Sequence, residues 1–183
     1  MFAVSLREDA ELRPLDVWHA EEFAEHMDRA RDHIRPWVGA AFVTKDVDAA
    51  RNLLRRYADR RAADEGGLFG IWLGGRLVGG VLFVSFNADW GNFEVGCWLE
   101  PSAEGRGLIT AGCETLLEWS FRVRGMHRAE WKCRADNERS AAVAKRLGMT
   151  LEGESRECWP YEGRRYNKQE WAVLAPDWRS ENG

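Results

Sequence analysis

Residues 93–124 read FEVGCWLEPSAEGRGLITAGCETLLEWSFRVR, and this stretch decides the fold. Its opening residues alternate apolar side chains with others, as a half-buried strand does. Pro101 ends the strand, and the run Ala103-Glu104-Gly105-Arg106-Gly107 is typical of a tight loop. From Leu108 onward the apolar residues follow helical spacing, and Gly125 lies where a helix C-cap glycine is expected. The stretch therefore predicts a strand, a glycine turn and a helix in succession.

A glycine turn that leads into a helix can bind an anion. Such a turn directs several backbone N–H groups toward one point, and here both the helix dipole and the cation Arg106 favour a phosphate. The sequence is not GxGxxG, because position 110 is Thr, and it lacks the GK[ST] of a nucleotide P-loop. An ordinary loop-to-helix turn explains the same residues, so the pattern alone leaves both interpretations open.

The sequence on either side of this stretch predicts one mixed sheet with helices around it. After a short extended start, helices are expected beyond Asp16 and beyond Thr44 or Asp46. The other predicted elements are strands over 68–73 and 77–86 joined at Gly74-Gly75, a strand over 127–133, a short helix capped by Asp136 or Asn137 and ended by Gly148, and strands over 150–159 and 165–174 around a turn with Pro160 and Gly163. Strands mostly precede helices and hairpins lie at both ends. We therefore predict a single α/β domain over residues 1–183, with a mixed, mostly antiparallel sheet flanked by helices.

The composition predicts a globular cytoplasmic protein. Of the 183 residues, 45% are hydrophobic and 31% charged, which is unlike a disordered chain. No run approaches the roughly 20 apolar residues of a membrane helix, and the first residues lack a signal-peptide apolar core. The net charge of −4 argues against a general nucleic-acid binder. Residues 121–168 nevertheless carry an excess of basic residues, which favours contact with an anion as much as an ordinary solvated face.

The cysteines and histidines predict neither a disulfide framework nor a metal site. The four cysteines, which are about 20 residues apart and form no CxxC pair, are Cys97, Cys113, Cys133 and Cys158. This spacing favours reduced, buried thiols. Three histidines, His19, His26 and His33, repeat every seven residues. Neighbours at that spacing are roughly 10 Å apart along a helix, too far to share one ion.

Two runs resemble the GNAT acyl-CoA N-acyltransferases, and above all their RimJ/RimL branch, which acetylates protein N-termini. They are EVGCWLEPSAEGRGLITAGCETLLEWSF from Glu94 and HRAEWKCRADNERSAAVAKRLGMTLEGESRE from His127. The resemblance is specific over 92–166 and looser over 12–86. The GNAT pyrophosphate loop, Gln/Arg-x-x-Gly-x-Gly/Ala, is matched from Glu104 to Ile109, and these two end positions depart from it. The resemblance implies the GNAT fold and acetyl-CoA as cofactor, without a metal.

The resemblance also implies which residues bind the cofactor. They are Trp98, Leu99, Gly105, Arg106, Gly107, Leu108, Ile109, Thr110 and Asn137. The backbone of Trp98 and Leu99 is expected to pair with the pantetheine arm, and the N–H groups of residues 106–110 to hold the pyrophosphate. Because that contact uses the main chain, Ile109 need not prevent it, whereas the carboxylate of Glu104 must point away from the phosphates. Capping of a helix explains Asn137 without any cofactor.

Glu94 and Ser140 are the candidate catalytic residues. Glu94 is a carboxylate in a mostly apolar strand beside the predicted cleft, which suits a general base, although a solvent-facing strand residue is an equal alternative. Related enzymes often have an acidic residue here. Ser140 lies on the same helix face as Asn137, and the resemblance places its hydroxyl near the leaving thiolate, with Tyr166 as the alternative. Trp37 resembles a RimL position that lines the acceptor groove, and a packed core explains it equally well.

The predicted reaction is acyl transfer from acetyl-CoA to a primary amine in a ternary complex, with a protein N-terminal α-amino group as one acceptor. An α-amino group is roughly 10% neutral at pH 7, whereas a lysine side chain is under about 0.1% neutral. A weaker base is therefore enough to deprotonate an α-amino group. There are three alternatives. The acceptor is a small amine such as a polyamine or antibiotic, the donor is a longer acyl-CoA, or the protein is a non-catalytic acyl-CoA-binding module. We expect no nucleic-acid or membrane partner, and a homodimer is one expected assembly.

Overall fold

The computed structural model describes residues 3–178, and within that range the chain forms one eight-stranded sheet and four α-helices. The strands are β1 (Val4–Arg7), β2 (Ala10–Pro14), β3 (Leu68–Leu73), β4 (Arg76–Asn87), β5 (Asn92–Leu99), β6 (Arg128–Arg134), β7 (Thr150–Tyr161) and β8 (Arg164–Leu174). The helices are α1 (Ala20–Ile34), α2 (Val47–Ala62), α3 (Leu108–Glu118) and α4 (Glu138–Arg146).

The strand order is β1-β2-β3-β4-β5-β6-β8-β7. Neighbours pair antiparallel except for β5 and β6, which run parallel. This arrangement confirms the mixed, mostly antiparallel α/β sheet that the sequence predicts. The assignment of residues 1–183 to a single domain stays a prediction.

Helices cover both faces of the sheet. One core lies between the sheet and α1 and α2, and includes Phe23, Met27 and Trp98. The other lies between the sheet and α3 and α4, and includes Phe93 and Trp131. Strand β5 contributes to both cores because its successive side chains point to opposite faces, as its alternation predicts.

Most predicted elements lie where the sequence places them. Gly74 and Gly75 join β3 to β4, and both have positive φ, which glycine adopts without steric strain. The side chain of Asp46 accepts a hydrogen bond from the Ala49 N–H and caps α2. Helix α3 ends at Glu118, and a single π-helical turn carries the chain on from Trp119 to Val123.

Three local predictions need correction. The extended start is a hairpin of β1 and β2. Asp16 precedes a 3-10 turn, and α1 begins at Ala20. Pro160 lies within β7, so the turn between β7 and β8 consists of Glu162 and Gly163. Both of these turn residues have positive φ.

Candidate functional site

A cavity of about 1300 Å³ opens where β5 and β6 separate. The two strands pair at only three positions, of which Glu94 opposite Glu130 is the last. Beyond that point β6 continues to pair with β8, while the edge of β5 from Val95 to Leu99 faces the cavity. An extended chain of amide groups can therefore bind along this edge as an additional strand does.

The loop before α3 forms one end of this cavity. Gly105 and Gly107 both have left-handed backbone conformations, with φ of 76° and 70°. Gly107 is the N-cap of α3, and its carbonyl accepts the first helical hydrogen bond, from the Ala111 N–H at 3.0 Å. The N–H groups up to Thr110 therefore precede the helical ladder, and they form the donor set of an anion site.

Arginine side chains surround the same loop. Arg7, Arg106, Arg139 and Arg146 line the cavity, and Arg146 Nε donates to Thr110 Oγ1 at 3.3 Å. This donor set of backbone N–H groups and guanidinium groups suits a pyrophosphate and a further phosphate. The basic excess over 121–168 indicates Arg139 and Arg146, whereas nothing in the sequence distinguishes Arg7.

Glu104, the acidic residue that departs from the family loop, is held by two neighbours. Its Oε1 is 2.8 Å from His33 Nε2 and 2.8 Å from Arg139 Nη1. The carboxylate thus bridges the end of α1 to α4, and Arg139 compensates its charge. Ile109, the second departure, packs against the apolar core with its side chain. Neither residue removes a backbone N–H from the loop.

Glu94 lies at the point where the strands separate, and its side chain is 16% exposed. Its Oε2 accepts a hydrogen bond from Lys132 Nζ at 2.8 Å, and Lys132 is also 3.1 Å from Glu130 Oε2. Burial by itself lowers the pKa of Lys132, but its two carboxylate partners outweigh this and raise it. Glu94 therefore borders the cavity as an ion-paired carboxylate. No motif in the sequence indicated Lys132.

Asn137 and Ser140 both line the cavity at the start of α4. Asn137 Oδ1 accepts a hydrogen bond from the Ser140 N–H at 3.1 Å, so the expected helix cap is present. The side-chain NH2 group of Asn137 is not used in that contact. Ser140 Oγ accepts a hydrogen bond from Trp131 Nε1 at 3.0 Å, which orients the hydroxyl at the cavity wall.

Trp37 lines the cavity from the loop between α1 and α2 and is not one of the buried core residues. Trp37 is therefore only half-buried, and its place in an acceptor groove stays a prediction. The guanidinium of Arg134 lies over the Trp37 ring, 4.8 Å from its centroid.

Tyr166 is not among the residues that line this cavity. Its ring is covered by the guanidinium of Arg134, which lies 3.6 Å from the ring centroid. It is thus a poor alternative to Ser140.

Trp98 anchors the exposed edge of β5 from behind. Its side chain is buried against α1, where its Nε1–H donates to His26 Nε2 at 2.9 Å. His26 Nδ1 lies 3.4 Å from Glu100 Oε2, and Glu100 also pairs with Arg29 and Arg76. Burial lowers the pKa of His26 to about 4, which keeps the ring neutral and able to accept from Trp98.

The remaining histidines and cysteines form no shared site. His19 and His33 contact different partners from His26, and within residues 3–178 no cluster of His, Cys, Asp and Glu is placed to hold a metal ion. Cys113 and Cys133 are buried, and burial raises the pKa of both thiols. The prediction of buried thiols is wrong for Cys158, which lies exposed on β7.

One protein family matches most of this chain, and named acetyltransferases are similar to it in sequence. The family described as "Acetyltransferase (GNAT) domain" matches residues 10–150. A "Putative ribosomal N-acetyltransferase YdaF" from Bacillus subtilis is 26% identical over 99% of this chain and 100% of its own length. The "Ribosomal-protein-serine acetyltransferase" of Escherichia coli is 33% identical over 47% of this chain and 48% of its own.

Solved structures share the fold. A ribosomal L7/L12 α-N-protein acetyltransferase RimL, in complex with coenzyme A, superposes with a TM-score of 0.88 at 21% identity, covering 94% of this chain and 97% of that one. The Microcin C7 self-immunity acetyltransferase MccE, in complex with acetyl-CoA and AMP, gives 0.84 at 20% identity, covering 93% and 95% of the two chains.

Proposed function

Because the chain belongs to the GNAT acetyltransferase family, in its RimJ/RimL-like branch, we propose that it transfers acetyl to the α-amino group at a protein N-terminus. The N-acetyltransferase activity and the use of acetyl-CoA follow from the family. The acceptor and the roles of individual residues are our proposal. The observation that carries it is the cavity between β5 and β6, which joins an open strand edge, an anion site and the carboxylate of Glu94.

The residues present fit acetyl-CoA, which supplies an acyl group activated as a thioester. The N–H groups of residues 106–110 and the neighbouring arginines would bind its phosphates. The open edge of β5 at Trp98 and Leu99 would pair with the amides of its pantetheine arm. The side-chain NH2 group of Asn137 is available to donate a further hydrogen bond from the start of α4.

Glu94 would accept the proton of the attacking amine, directly or through one water. Its position at the end of the paired segment places it beside both the β5 edge and the groove that Trp37 lines. An α-amino group has a pKa near 8, so a modest base is enough to complete its deprotonation. Lys132 holds the carboxylate in place until a substrate ammonium arrives to compete for it.

Ser140 would stabilise the departing thiolate. Its hydroxyl accepts from Trp131 Nε1, and rotation of the hydroxyl away from Cys133 would direct its proton into the cavity. A serine is too weak an acid to protonate the thiolate, but a hydrogen bond suffices for a leaving group whose pKa is near 8.5.

The charge of the cavity favours an N-terminal amine over a polyamine. Among the described residues, the carboxylates that line it are Glu94, Glu104 and Glu114. Glu94 and Glu104 are already paired with Lys132 and Arg139, and Glu114 also has a partner. A polycation would have to displace several of these partners to pair its additional ammonium groups, whereas a single α-ammonium competes only for Glu94. The names of the YdaF and RimL relatives, which refer to ribosomal proteins, also support a protein acceptor.

A thiol-release assay with acetyl-CoA tests the proposed acceptor. The acceptors are a peptide with a free α-amino group and no lysine, the same peptide with a blocked N-terminus and one lysine, and spermidine. We expect acetylation of the first peptide, localised by mass spectrometry to the α-nitrogen, and little of the others. Faster acetylation of spermidine or lysine would refute the proposed acceptor, and faster turnover with succinyl-CoA would refute acetyl as the preferred group.

Cellular location and assembly extend the same proposal. A modifier of ribosomal proteins acts where they are made, so we propose a cytoplasmic location, which fractionation of cells tests. No helix within residues 3–178 is long and apolar enough to cross a membrane. A homodimer and the lack of a nucleic-acid partner stay predictions, and light scattering and a gel-shift assay test them.

A further inference from the structure

Arg134 is a buried charge at the edge of the site. It is the last residue of β6, and its side chain is 5% exposed. It does not itself line the cavity. A buried arginine requires partners for its charge and its donors, and burial without them is costly. The identity of those partners therefore shows what this residue holds in place.

The carboxylate and carbonyl partners of Arg134 lie on two different segments. Nε and Nη2 donate to the two carboxylate oxygens of Asp136, at 3.0 and 2.6 Å. Nη1 donates to the backbone carbonyl of Pro36 at 3.0 Å. Asp136 directly precedes the Asn137 cap of α4, and Pro36 directly precedes Trp37. One guanidinium thus links the start of α4 to the loop between α1 and α2.

Three aromatic rings surround the same guanidinium. Its carbon lies 3.6 Å from the ring centroid of Tyr166, 4.8 Å from that of Trp37 and 5.4 Å from that of Tyr161. Cations are attracted to such ring faces, more strongly where water is excluded. The hairpin of β7 and β8 therefore supports Arg134 from one side, and Arg134 supports Trp37 from the other.

Apart from apolar packing of Val38, Phe42 and Val43 against the core under α1 and α2, the loop that carries Trp37 has few other ties. Between α1 and α2 its only regular structure among the described residues is the short 3-10 turn Ala40–Phe42. At its far end Arg31 Nη2 donates to the carbonyl of Thr44 at 2.9 Å. At its near end the Trp37 N–H donates to the Ile34 carbonyl at 2.9 Å, and the side-chain ties are Arg134 and an exposed ion pair of 3.6 Å between Arg35 and Glu162. An exposed pair contributes little, so Arg134 dominates among the side-chain ties at this end.

We propose that Arg134 is a positioning residue for the acceptor amine, which fixes the Trp37 wall of the groove relative to α4. This inference rests on the proposed function, because it requires that the acceptor amine binds against Trp37. Only the planar fork of arginine can bind Asp136 in a bidentate way, reach the Pro36 carbonyl and stack on Tyr166 at once. Lysine keeps the charge and loses this combination, so charge alone does not fulfil the role.

Steady-state kinetics of Arg134→Met and Arg134→Lys test the proposal. The acceptor is whichever amine the parent acetylates fastest, so failure of the proposed α-amino acceptor would be visible separately. We expect the acceptor KM to rise about tenfold in both variants, with kcat and the Kd for acetyl-CoA within about threefold of the parent. Arg164→Met is the matched control, because Arg164 also lies over Tyr166, at 5.8 Å, but is exposed on the hairpin. It should leave the acceptor KM unchanged.

A double-mutant cycle with Trp37→Ala separates positioning from general destabilisation. If Arg134 acts through Trp37, the two substitutions together should raise the acceptor KM little more than one alone. Hydrogen exchange of the unliganded proteins should also show faster exchange over 37–43 in Arg134→Met than in Arg164→Met. An unchanged acceptor KM, multiplicative effects in the cycle, or rescue by Arg134→Lys would each overturn the proposal. If Arg134→Met fails to fold, Tyr166→Leu replaces it, because this variant removes the stacking partner of Arg134. Tyr166→Leu must then show the same rise in the acceptor KM. A parental acceptor KM in Tyr166→Leu would refute the proposal.

Discussion

Glu94, at the last position where β5 pairs with β6, forms an ion pair of 2.8 Å with Lys132, two residues further along β6. Lys132 also contacts Glu130 at 3.1 Å, so one ammonium holds two carboxylates. Only Glu94 of the two lines the cavity. The structure thus provides a carboxylate that faces the site and a chemically identical one beside it that does not.

Replacing Glu94 by Gln should lower turnover, and most strongly at low pH. There the acceptor amine is mostly protonated and depends most on a base. We expect a loss of about 10²-fold at pH 6.5 that shrinks toward pH 9, with the Kd for acetyl-CoA nearly unchanged. Turnover at saturating substrate from pH 6 to 9 gives the profile.

Glu130→Gln is the control for this prediction, because it removes the other carboxylate on Lys132 and leaves the cavity wall intact. It should retain the parental pH profile. If Glu94→Gln also retained it, the base would lie elsewhere or the acceptor would arrive already neutral.

Replacing Gly107 by Val should weaken acetyl-CoA binding by more than about tenfold. A side chain there would lie where the phosphates approach the backbone, and its Cβ would be 3.4 Å from Arg7 Nη2. Gly125→Val is the matched control, since Gly125 also has a positive φ, of 64°, at the other end of the α3 segment. Calorimetry should show parental affinity for the control. Equal affinity in a folded Gly107→Val would argue against the loop as the phosphate site.

Replacing Ser140 by Ala should reduce turnover by roughly tenfold to a hundredfold while the cofactor affinity stays the same. Stability should also fall by about 1–3 kcal/mol, because Trp131 Nε1 loses its buried acceptor. Ser120→Ala is the control, since the Ser120 hydroxyl is buried without a hydrogen-bond partner, away from the cavity. It should cost no stability and no turnover. Turnover of Ser140→Ala within about twofold of the parent would leave Ser140 a structural role only.

Stability should decrease as the pH falls from about 6.5 toward 4. The pKa of His26 is about 4 in the folded chain, because burial disfavours its charged form, whereas a histidine in an unfolded chain has a pKa near 6.5. Between these values the unfolded state binds the additional proton, so folding loses roughly 2 kcal/mol between pH 7 and pH 5. Urea unfolding at the two pH values measures this loss.

In His26→Gln the loss between pH 7 and pH 5 should be smaller by about that amount, because glutamine does not titrate. His127→Gln, at an exposed position, should match the parent. Equal pH dependence in all three proteins would show that His26 does not govern this loss.

Local patterns in the sequence predicted most of the fold, because each strand and helix carries its own signal. The alternation from Phe93 to Leu99 and the helical spacing from Leu108 both gave the right element. The hairpin of β1 and β2 was missed because each strand is only four or five residues long. Pro160 was placed in a turn on its usual preference, whereas in the structure it lies opposite Arg165 in the β7–β8 ladder.

The site was predictable where it depends on backbone and unpredictable where it depends on tertiary contacts. Gly105, Gly107 and the Asn137 cap are local features, and they are found as expected. Lys132 and Arg134 act through partners up to 98 positions away in the sequence. The register of β6 against β5 brings Lys132 to Glu94, and the packing of the α1–α2 loop brings Pro36 to Arg134. No single segment encodes either contact.

The three-position pairing of β5 with β6 has a consequence for how the protein unfolds. The sheet consists of two parts, β1–β5 and β6–β8, which few backbone hydrogen bonds join. The boundary between β5 and β6 is therefore the place where these two parts can separate. A pantetheine arm bound along the open edge of β5 would act as a partial ninth strand of the first part, and its contact with Asn137 at the start of α4 would join it to the second part. Acetyl-CoA would then make the two parts unfold as one unit, so the thermal transition should sharpen as well as rise with its concentration.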